Sequence, residues 1–275
     1  MTRIALLQMT SGIDPGANAA ALVAGVEEAA RGGVAMLFTP EMSGLLDRDR
    51  ERAAAHVVAE DESPVLRAVR EAAAERGIWV ALGSLAVARE DGRWANRSFL
   101  IDRQGGVVAR YDKIHMFDVQ LASGEAWRES AAYEPGDEVV TAATPLGRLG
   151  LTVCYDIRFP ALFEELGRQS CDVIAIPAAF TVPTGKAHWH LLQRARAVEA
   201  SAYVVAAAQV GEHDDGRRTY GHSLVVDPWG EVVLDMGGED PGVGFAEIDP
   251  QRIVDIRAQL PSLANRRAIP TSNPQ

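Results

Sequence analysis

The chain has 275 residues, of which 47% are hydrophobic and 24% charged, proportions typical of a globular protein that buries a core without disulfides. Its 27 basic and 38 acidic residues give a net charge of −11 at pH 7, which argues against nucleic acid or an anionic membrane as a partner. No apolar run approaches the ~20 residues that span a bilayer, and residues 1–9 lack the pattern of a signal peptide. With only two cysteines, Cys154 and Cys171, we expect a reducing, cytoplasmic location.

The first half of the chain alternates short apolar runs with amphipathic runs of helix length. This alternation predicts strands connected by helices, followed by a hairpin around the turn sequence Arg-Gln-Gly-Gly. The predicted elements are, in chain order, strand 3–9, helix 17–31, strand 34–39, helix 63–76, strand 78–85 and the hairpin strands 97–102 and 107–111.

The second half repeats this order of elements. Its predicted elements are strand 148–153, helix 159–169, strand 172–177, helix 186–201, strand 203–208 and the hairpin strands 222–227 and 231–235. Two halves with one order indicate an architectural pseudo-repeat. Each half would form a mixed sheet with helices on one face, and stacking the two bare faces gives a four-layer αββα sandwich.

No linker or low-complexity stretch separates the halves, so we predict a single domain over residues 1–275. The tail from Pro261 onward has little periodicity of its own. We expect this tail to be either frayed or docked against a partner subunit.

Three side chains of chemical interest follow predicted strands. Cys154 comes directly after strand 148–153, Glu41 follows strand 34–39, and Lys113 follows strand 107–111. Sites in open α/β sheets form beyond the carboxyl ends of strands. Each residue alone has a plainer interpretation, because most lone cysteines are small buried hydrophobes and most charges lie on the surface. Together they provide a nucleophile, an acid/base group and a cation at equivalent strand ends, whereas Cys171, at the start of a strand, is expected to be structural.

Three segments resemble the signature segments of the nitrilase superfamily of carbon–nitrogen hydrolases. They are Pro-Glu at 40–41, Tyr-Asp-Lys-Ile-His-Met-Phe-Asp at 111–118 and Val-Cys-Tyr-Asp-Ile-Arg-Phe-Pro at 153–160. They occur in the order and at the spacing of that family, and the similarity extends over nearly the whole chain. The resemblance implies an α/β four-layer sandwich and an amidase that acts on linear amides.

The resemblance also implies a role for each of these residues. Cys154 would attack the amide carbonyl and form a thioester, because an amide is a poor electrophile that needs a thiolate. Glu41 would accept the thiol proton, pass it to the leaving amine and then activate water. Lys113, with the backbone N–H of Tyr155, would stabilise the tetrahedral oxyanion.

Further residues complete the implied site. A second glutamate orients the centre in this family, and Arg-Glu-Ser at 128–130 matches that segment, which gives the role to Glu129; Glu125 and Glu134 are the alternatives. Arg158 is suited to holding a substrate carboxylate by two parallel hydrogen bonds, or to pairing with Asp156 or another acid. The resemblance places three more side chains on the pocket wall, namely Phe117, Phe180 and Thr181.

Within the superfamily the chain is most similar to the Nit-type amidases, through segments 185–199 and 220–230. Such segments occur in deaminated glutathione amidases and in ω-amidases, which act on α-ketoglutaramate. The run 205–211, followed by His213 and Arg218, is more similar to the former. Lys186 stands where a proline is expected. Another small-amide or N-carbamoyl hydrolase is a further alternative, and the family implies a homodimer or a dimer of dimers.

Other functional classes find little support. The sequence lacks the Gly-x-Ser-x-Gly segment of serine hydrolases, and residues 184–187 lack the earlier glycine and the Ser/Thr of a P-loop. His188 and His190 are two apart on a predicted helix and point in different directions, so we expect no metal and no cofactor. A non-catalytic regulatory protein on the same fold is the alternative of another class, and a reactive Cys154 thiol would argue against it.

Overall fold

The computed structural model describes residues 1–120, 124 and 126–270. Three of its helices begin at proline and are capped by the preceding residue: the side chains of Asp14, Ser63 and Asp249 each accept a hydrogen bond from a backbone N–H of the first turn. The α-helices are α1 (Pro15–Arg31), α2 (Arg50–Ala54), α3 (Pro64–Arg76), α4 (Pro160–Arg168), α5 (Val182–Ala200) and α6 (Pro250–Gln259).

Two six-stranded mixed sheets form the centre of the molecule. The first contains β1 (Thr2–Gln8), β2 (Met36–Phe38), β3 (Trp79–Ala88), β4 (Trp94–Ile101), β5 (Val107–Asp112) and β16 (Gly242–Ile248), in the spatial order β16-β1-β2-β3-β4-β5. The second contains β8 (Thr141–Thr144), β9 (Gly147–Leu151), β10 (Val173–Ala175), β11 (Tyr203–Ala206), β14 (Leu224–Val226) and β15 (Val232–Asp235), in the order β15-β14-β11-β10-β9-β8.

The two sheets have equivalent topology. In the first, β1, β2 and β3 pair in parallel, and β4 and β5 add antiparallel strands. In the second, β9, β10 and β11 pair in parallel, and β14 and β15 add antiparallel strands. Each sheet also has an antiparallel edge strand beside its first parallel strand, β16 beside β1 and β8 beside β9. The structure therefore confirms the predicted α/β fold with two stacked mixed sheets.

Side-chain alternation along β1 shows how the layers pack. Ile4 and Leu6 belong to a cluster that also contains the inner residues of the second sheet, whereas Ala5 and Leu7 pack with α1 and α3. Successive side chains of a strand point to opposite faces, so one face of the first sheet meets the second sheet and the other meets helices. The core thus lies between the sheets and under the helices.

Pairing of β1 with β16 joins residues from the two ends of the described chain. On that ground, one domain over residues 1–275 remains our proposal. The described part of the tail, residues 261–270, contacts α4 of the same chain: Nη1 of Arg266 donates to the carbonyl of Glu164 over 2.7 Å. None of the helices in the described part of the chain has the length and apolar character needed to cross a bilayer.

Several element boundaries differ from the sequence-based ones. Helix α5 begins at Val182 rather than at residue 186, and β9 ends at Leu151 rather than at residue 153. Strand β14 begins only at Leu224, because His222 has φ 54°, which interrupts an extended strand. Two small hairpins escaped prediction, β6 (Asp118–Gln120) with β7 (Ala126–Arg128) and β12 (Val210–Glu212) with β13 (Arg218–Tyr220).

Candidate active site

Glu41 lies just beyond the carboxyl end of β2. Strand β3 passes close to this segment: a side chain at Gly83 would sit 2.1 Å from the carbonyl oxygen of Thr39, so only glycine fits. Oε1 of Glu41 accepts hydrogen bonds of 3.0 Å from Asn96 and from Lys113, and Oε2 accepts one of 2.9 Å from the backbone N–H of Ala179. The carboxylate is buried and held by residues from both halves of the chain.

Lys113 lies directly after β5 and is only 2% exposed along its side chain. Its Nζ donates to Oε1 of Glu41 over 3.0 Å and to Oε2 of Glu129 over 2.8 Å. Asn96 donates to both glutamates over 3.0 Å, and the backbone N–H of Phe117 donates to Glu129 over 2.7 Å. The ammonium is thus fixed between two carboxylates, which orients it strongly.

Cys154 begins a short 3-10 helix, Cys154–Arg158, instead of ending the preceding strand. It has φ 50°, an uncommon left-handed conformation for a non-glycine residue, and its N–H donates to the carbonyl of Pro177 over 2.9 Å. Such conformations often occur at functional sites. Tyr155 follows in the first turn of the 3-10 helix, where backbone N–H groups have no carbonyl of their own helix to bind.

Asp156 connects the cysteine segment to the lysine segment. It is fully buried, and its carboxylate accepts hydrogen bonds from the Tyr111 hydroxyl over 2.7 Å, from the N–H of Val153 over 2.8 Å and from the N–H of His115 over 3.0 Å. One carboxylate therefore fixes the residue before Cys154 together with two residues that flank Lys113. Because these contacts occupy it, Asp156 is not the partner of Arg158, and that alternative is wrong.

Burial and neighbouring charges set the protonation of the site. Burial and the carboxylate of Glu41 raise the pKa of the Cys154 thiol well above its usual value, although Lys113 acts in the opposite direction. Burial tends to raise the pKa of Glu41, but the charge of Lys113 and hydrogen bonds lower it overall. Burial opposes the charge of Lys113, but Glu129 and Glu41 hold its pKa well above the usual value. At neutral pH the site therefore contains an ionised Glu41, a charged Lys113 and a neutral thiol.

A cavity of about 930 Å³ opens onto these residues. Glu41, Lys113, Glu129 and Cys154 all contribute to its lining. Residues 216–219, from the end of the β12–β13 loop into β13, form part of its wall. Six arginines also line it, namely Arg48, Arg50, Arg128, Arg158, Arg217 and Arg218. Cationic side chains therefore surround a centre that can attack a carbonyl.

The structure brings the other sequence-predicted residues to this cavity as well. Phe117, Tyr155, Arg158, Phe180 and Thr181 all line it. The ring of Phe117 contacts that of Tyr155 edge to face, with centroids 5.1 Å apart. The guanidinium of Arg158 lies 5.9 Å from the Tyr155 ring centroid and 5.4 Å from that of Phe180. Arg158 is thus held by aromatic faces rather than by a carboxylate.

The structure describes two of the alternatives to the predicted residues, Glu134 and Cys171. Glu134 is paired with Arg93 at 3.2 Å, and Glu125 lies outside the described residues. Both cysteines are free, and Cys171 is fully buried in the core, where burial raises the pKa of its thiol to about 12. Cys171 thus lacks the setting of a nucleophile.

Two positions of the site escaped the sequence analysis. Asn96 bridges Glu41 and Glu129, and the N–H of Ala179 binds Glu41. Asn96 lies four residues before Leu100 on β4, so both side chains point to the face of the sheet that meets the second sheet. A polar residue on this face was the sign in the sequence that could have identified Asn96. The sequence gives no comparable sign for the N–H of Ala179, because every residue type except proline provides a backbone N–H.

The chain is similar to known proteins over nearly its whole length. Residues 3–258 match the model of the family described as carbon-nitrogen hydrolase. The chain is 40% identical to the deaminated glutathione amidase of Yersinia enterocolitica over 99% of this chain and 95% of that protein. It is 38% identical to the human deaminated glutathione amidase over 96% of this chain and 82% of that protein. The crystal structure of the Caenorhabditis elegans NitFhit protein superposes with a TM-score of 0.89 at 37% identity, covering 97% of this chain and 65% of that chain.

Proposed function

The chain belongs to the carbon-nitrogen hydrolase family, and from this premise we propose that Cys154, Glu41 and Lys113 hydrolyse an amide C–N bond through a thioester. The proposal rests on the geometry of the site, where a buried thiol, an ionised carboxylate and a fixed ammonium line one cavity. As the thiol attacks the carbonyl carbon, its proton passes to Glu41. Transfer is needed because the raised pKa of Cys154 keeps the free thiol protonated.

The oxyanion that forms on the carbonyl oxygen requires donors that are already in place. Lys113 is held by both glutamates, and we assign the second donor to the backbone N–H of Tyr155. Fixed donors stabilise developing charge without reorganising, and one such donor is worth about 2.7–4 kcal/mol of barrier. The oxyanion forms close to two carboxylates, and the positive charge of the Lys113 ammonium offsets the repulsion between these negative charges.

Glu41 then completes the cycle. Glu41 gives its proton to the departing amine as the C–N bond breaks, and the acyl group remains on Cys154 as a thioester. It next takes a proton from water, whose oxygen attacks the thioester, and the sulfur leaves and recovers that proton. Glu129 touches Lys113 and Asn96 but not Glu41, so we propose that it positions the ammonium.

For the substrate we propose deaminated glutathione, cleaved to an α-keto acid and cysteinylglycine. The observation that carries this proposal is the wall formed by residues 216–219, which places the exposed Arg218 in the same cavity as Cys154. Arg217 also lines this cavity, but its guanidinium is paired with Asp215 at 2.9 Å. Deaminated glutathione carries a carboxylate at each end, and arginine side chains suit carboxylates. A cavity of about 930 Å³ leaves room for a peptide-like leaving group.

The test is the ratio of kcat/KM values for deaminated glutathione and α-ketoglutaramate, because specificity is a difference in transition-state binding. We expect the ratio to favour deaminated glutathione. Arg218→Ala should lower kcat/KM for this substrate by up to about fivefold, the worth of an exposed ion pair, and leave α-ketoglutaramate unchanged. Arg67→Ala, on the exposed side of α3, is the matched control and should change neither.

Each other outcome has a definite meaning. A ratio favouring α-ketoglutaramate would make the enzyme an ω-amidase. If it cleaved neither compound but hydrolysed another amide or an N-carbamoyl compound, the reaction class would stand and the substrate would be wrong.

We propose that the enzyme is a homodimer, or a dimer of such dimers, and that α5 contributes to the interface. Leu191 and Val198 lie two turns apart on α5 and are 67% and 42% exposed. Beside them, Arg194 donates to the carbonyl of Gly230, and Trp229 of that turn is 45% exposed. An apolar face of this kind is suited to isologous pairing.

Light scattering at micromolar concentrations tests the dimer. We expect a dimeric mass for the unmodified protein and a monomeric mass for Leu191→Asp, because a buried unpaired charge opposes association. Val108→Asp changes an equally apolar exposed residue on β5 and should remain dimeric. A monomeric unmodified protein would contradict the proposal.

We also propose a reducing compartment such as the cytoplasm. Both cysteines are free, and a thiol at Cys154 is required for the proposed reaction. Fractionation of the cells that produce the enzyme, with antibody detection, would check this location.

A further inference from the structure

Two imidazoles and one carboxylate meet where α5 reaches the edge of the second sheet. His190 lies on α5, His222 precedes β14, and Asp235 is the last residue of β15. Nε2 of His190 is 3.0 Å from Oδ2 of Asp235, and Nδ1 of His222 is 2.9 Å and 3.1 Å from Oδ1 and Oδ2. None of the three lines the cavity of Cys154. The cluster is therefore separate from the proposed catalytic centre.

The spacing of the donor atoms suits one metal ion. One ligand atom from each residue lies within 4.8 Å of the other two. Bonds of ~2.0–2.2 Å to Zn²⁺ place two ligand atoms of a single ion roughly 3.0–3.5 Å apart. Both imidazole nitrogens are already about this far from Oδ2 of Asp235, at 3.0 Å and 3.1 Å. The two imidazole nitrogens lie within 4.8 Å of each other, and they complete the site by approaching to about the spacing of two ligands on one ion.

Neighbouring groups hold the potential ligands in place. The N–H of His222 donates to the carbonyl of Gly237 over 2.7 Å, and its own carbonyl accepts from Nε1 of the buried Trp189 over 2.8 Å. The N–H of Gly237 donates to Oδ1 of Asp235 over 2.9 Å. The Tyr220 ring stacks on the His222 ring at 4.4 Å between centroids. Ligands fixed in this way lose little freedom when an ion binds.

We infer that His190, His222 and Asp235 bind a divalent transition-metal ion, for which Zn²⁺ is the best fit. Two imidazoles and one carboxylate form a donor set of zinc and its first-row neighbours, whereas Mg²⁺ and Ca²⁺ prefer oxygen ligands. All three side chains are partly exposed, so an ion can enter from solvent.

The ion would join α5 to the sheet edge. It replaces the direct hydrogen bonds between the imidazoles and the carboxylate, which requires both imidazoles to be neutral. Tyr220, stacked on His222, packs closely on Gly185 in the first turn of α5, and the preceding Thr219 lines the cavity of Cys154. Binding would therefore fasten the β12–β13 wall of that cavity.

Calorimetric titration of Zn²⁺ into tag-free protein is the direct test. It is carried out on Cys154→Ala, because the thiol beside Glu41 is another possible zinc ligand. We expect one Zn²⁺ per chain, no response to Mg²⁺ and a higher Tm with Zn²⁺ present. A zinc-edge anomalous peak between the three side chains would locate the ion.

Ligand variants in the Cys154→Ala background decide the assignment. His190→Ala and Asp235→Asn should each weaken Zn²⁺ binding by at least about 10- to 100-fold, a loss that even outer-shell changes produce. His222→Asn should do the same, and asparagine is chosen because it tolerates the positive φ. His188→Ala, two residues away on α5, is the matched control and should bind as before.

Three outcomes would overturn the inference. They are no Zn²⁺ binding by Cys154→Ala, unchanged binding by His190→Ala and Asp235→Asn, or an equal loss in His188→Ala. Circular dichroism of each variant shows whether the fold is retained, and the three ligand variants serve as independent tests should one of them fail to fold.

Discussion

The two halves of the chain have equivalent sheets but contribute different chemistry to the site. The first half supplies the charged groups, Glu41, Lys113 and Glu129, together with Asn96, from positions on or just after β2, β4, β5 and β7. The second half supplies the thiol of Cys154 and backbone N–H groups. In the second half, the nucleophile Cys154 lies three residues after the first parallel strand, β9, whereas in the first half the acid/base group Glu41 lies three residues after the second parallel strand, β2.

This division shows why neither half has a site by itself. Glu41 receives a hydrogen bond from Ala179 of the other half, and Asp156 receives one from Tyr111 of the first half. Without the second sheet, the carboxylates and the ammonium would lie on an open face, where water weakens their interactions. The chemistry thus depends on stacking two similar sheets with different residues at their strand ends.

The largest effect is expected from removing the group that only the second half provides. Cys154→Ala should lower kcat by about 10⁴-fold or more, since loss of a nucleophile has effects of this size in other hydrolases. Far-UV circular dichroism should be unchanged. Cys171→Ala is the control and should leave ammonia or amine release nearly as before; turnover by Cys154→Ala at the unmodified rate would end the assignment.

The charged groups of the first half come next. Glu41→Gln and Lys113→Ala should each slow formation of the thioester, by about 10²–10³-fold for Lys113→Ala, the value of one oxyanion donor. Rapid quench followed by mass spectrometry of the acyl-enzyme measures this step. Glu129→Gln should also be severely impaired, because the amide no longer holds the ammonium by charge. Normal acylation by Lys113→Ala would remove that residue from the oxyanion role.

A smaller effect is expected where the halves are joined by Asp156. In Asp156→Asn, an amide NH₂ replaces one of the acceptor oxygens and faces N–H or O–H donors. We expect a loss of about 1–3 kcal/mol in the free energy of unfolding, measured by urea denaturation. Asp102→Asn makes the same change at a partly exposed carboxylate in the β4–β5 turn and should cost less. Equal losses in both variants would show that the buried hydrogen bonds of Asp156 stabilise the fold no more than those of the turn carboxylate.

The smallest effect is expected in the pH dependence of kcat/KM across the neutral range. The reactive form of the enzyme contains ionised Glu41 and protonated Cys154. The pKa of Glu41 is lowered from 4.5, so this group stays ionised down to more acidic pH, and kcat/KM should fall only below that value. The pKa of Cys154 is raised above 9.0, so the alkaline fall should begin only above it. Initial rates with a substrate that does not titrate in this range check the plateau. An acid limb near about pH 6 would contradict it.

Local sequence was sufficient for the order of the main strands and helices of each half and for most of the site, whereas the edge strands β8 and β16, the helices α2 and α6 and two small hairpins were not predicted. The alternation of apolar and amphipathic runs depends on burial of whole faces, and it predicted the paired sheets and their hairpins. Glu41, Lys113 and Cys154 were recognised because their three segments occur together, in the order and at the spacing of the family. Glu129 was recognised from three residues only, and the structure places its carboxylate 2.8 Å from Lys113.

Other features required the folded chain. Asn96, Asp156 and the N–H of Ala179 make contacts with residues 45 to 138 positions away, and no local pattern encodes such contacts. The positive φ of Cys154 was not predicted, because the apolar residues before it have the pattern of a strand. In the structure, the N–H of Cys154 donates to the carbonyl of Pro177 and the N–H of Val153 donates to the Asp156 carboxylate, and these contacts hold the turn. His190 and His222 are 32 positions apart and meet only because β15 brings Asp235 between them.

The sequence by itself determined which faces are buried, and hence two similar sheets, because side-chain periodicity is a property of each element alone. It also determined which residue types stand at the strand ends. Only the tertiary structure decided which of these residues meet, how their charges shift one another and which arginines surround the cavity. Those properties depend on distances and burial between remote segments, and these are fixed only when the two sheets stack.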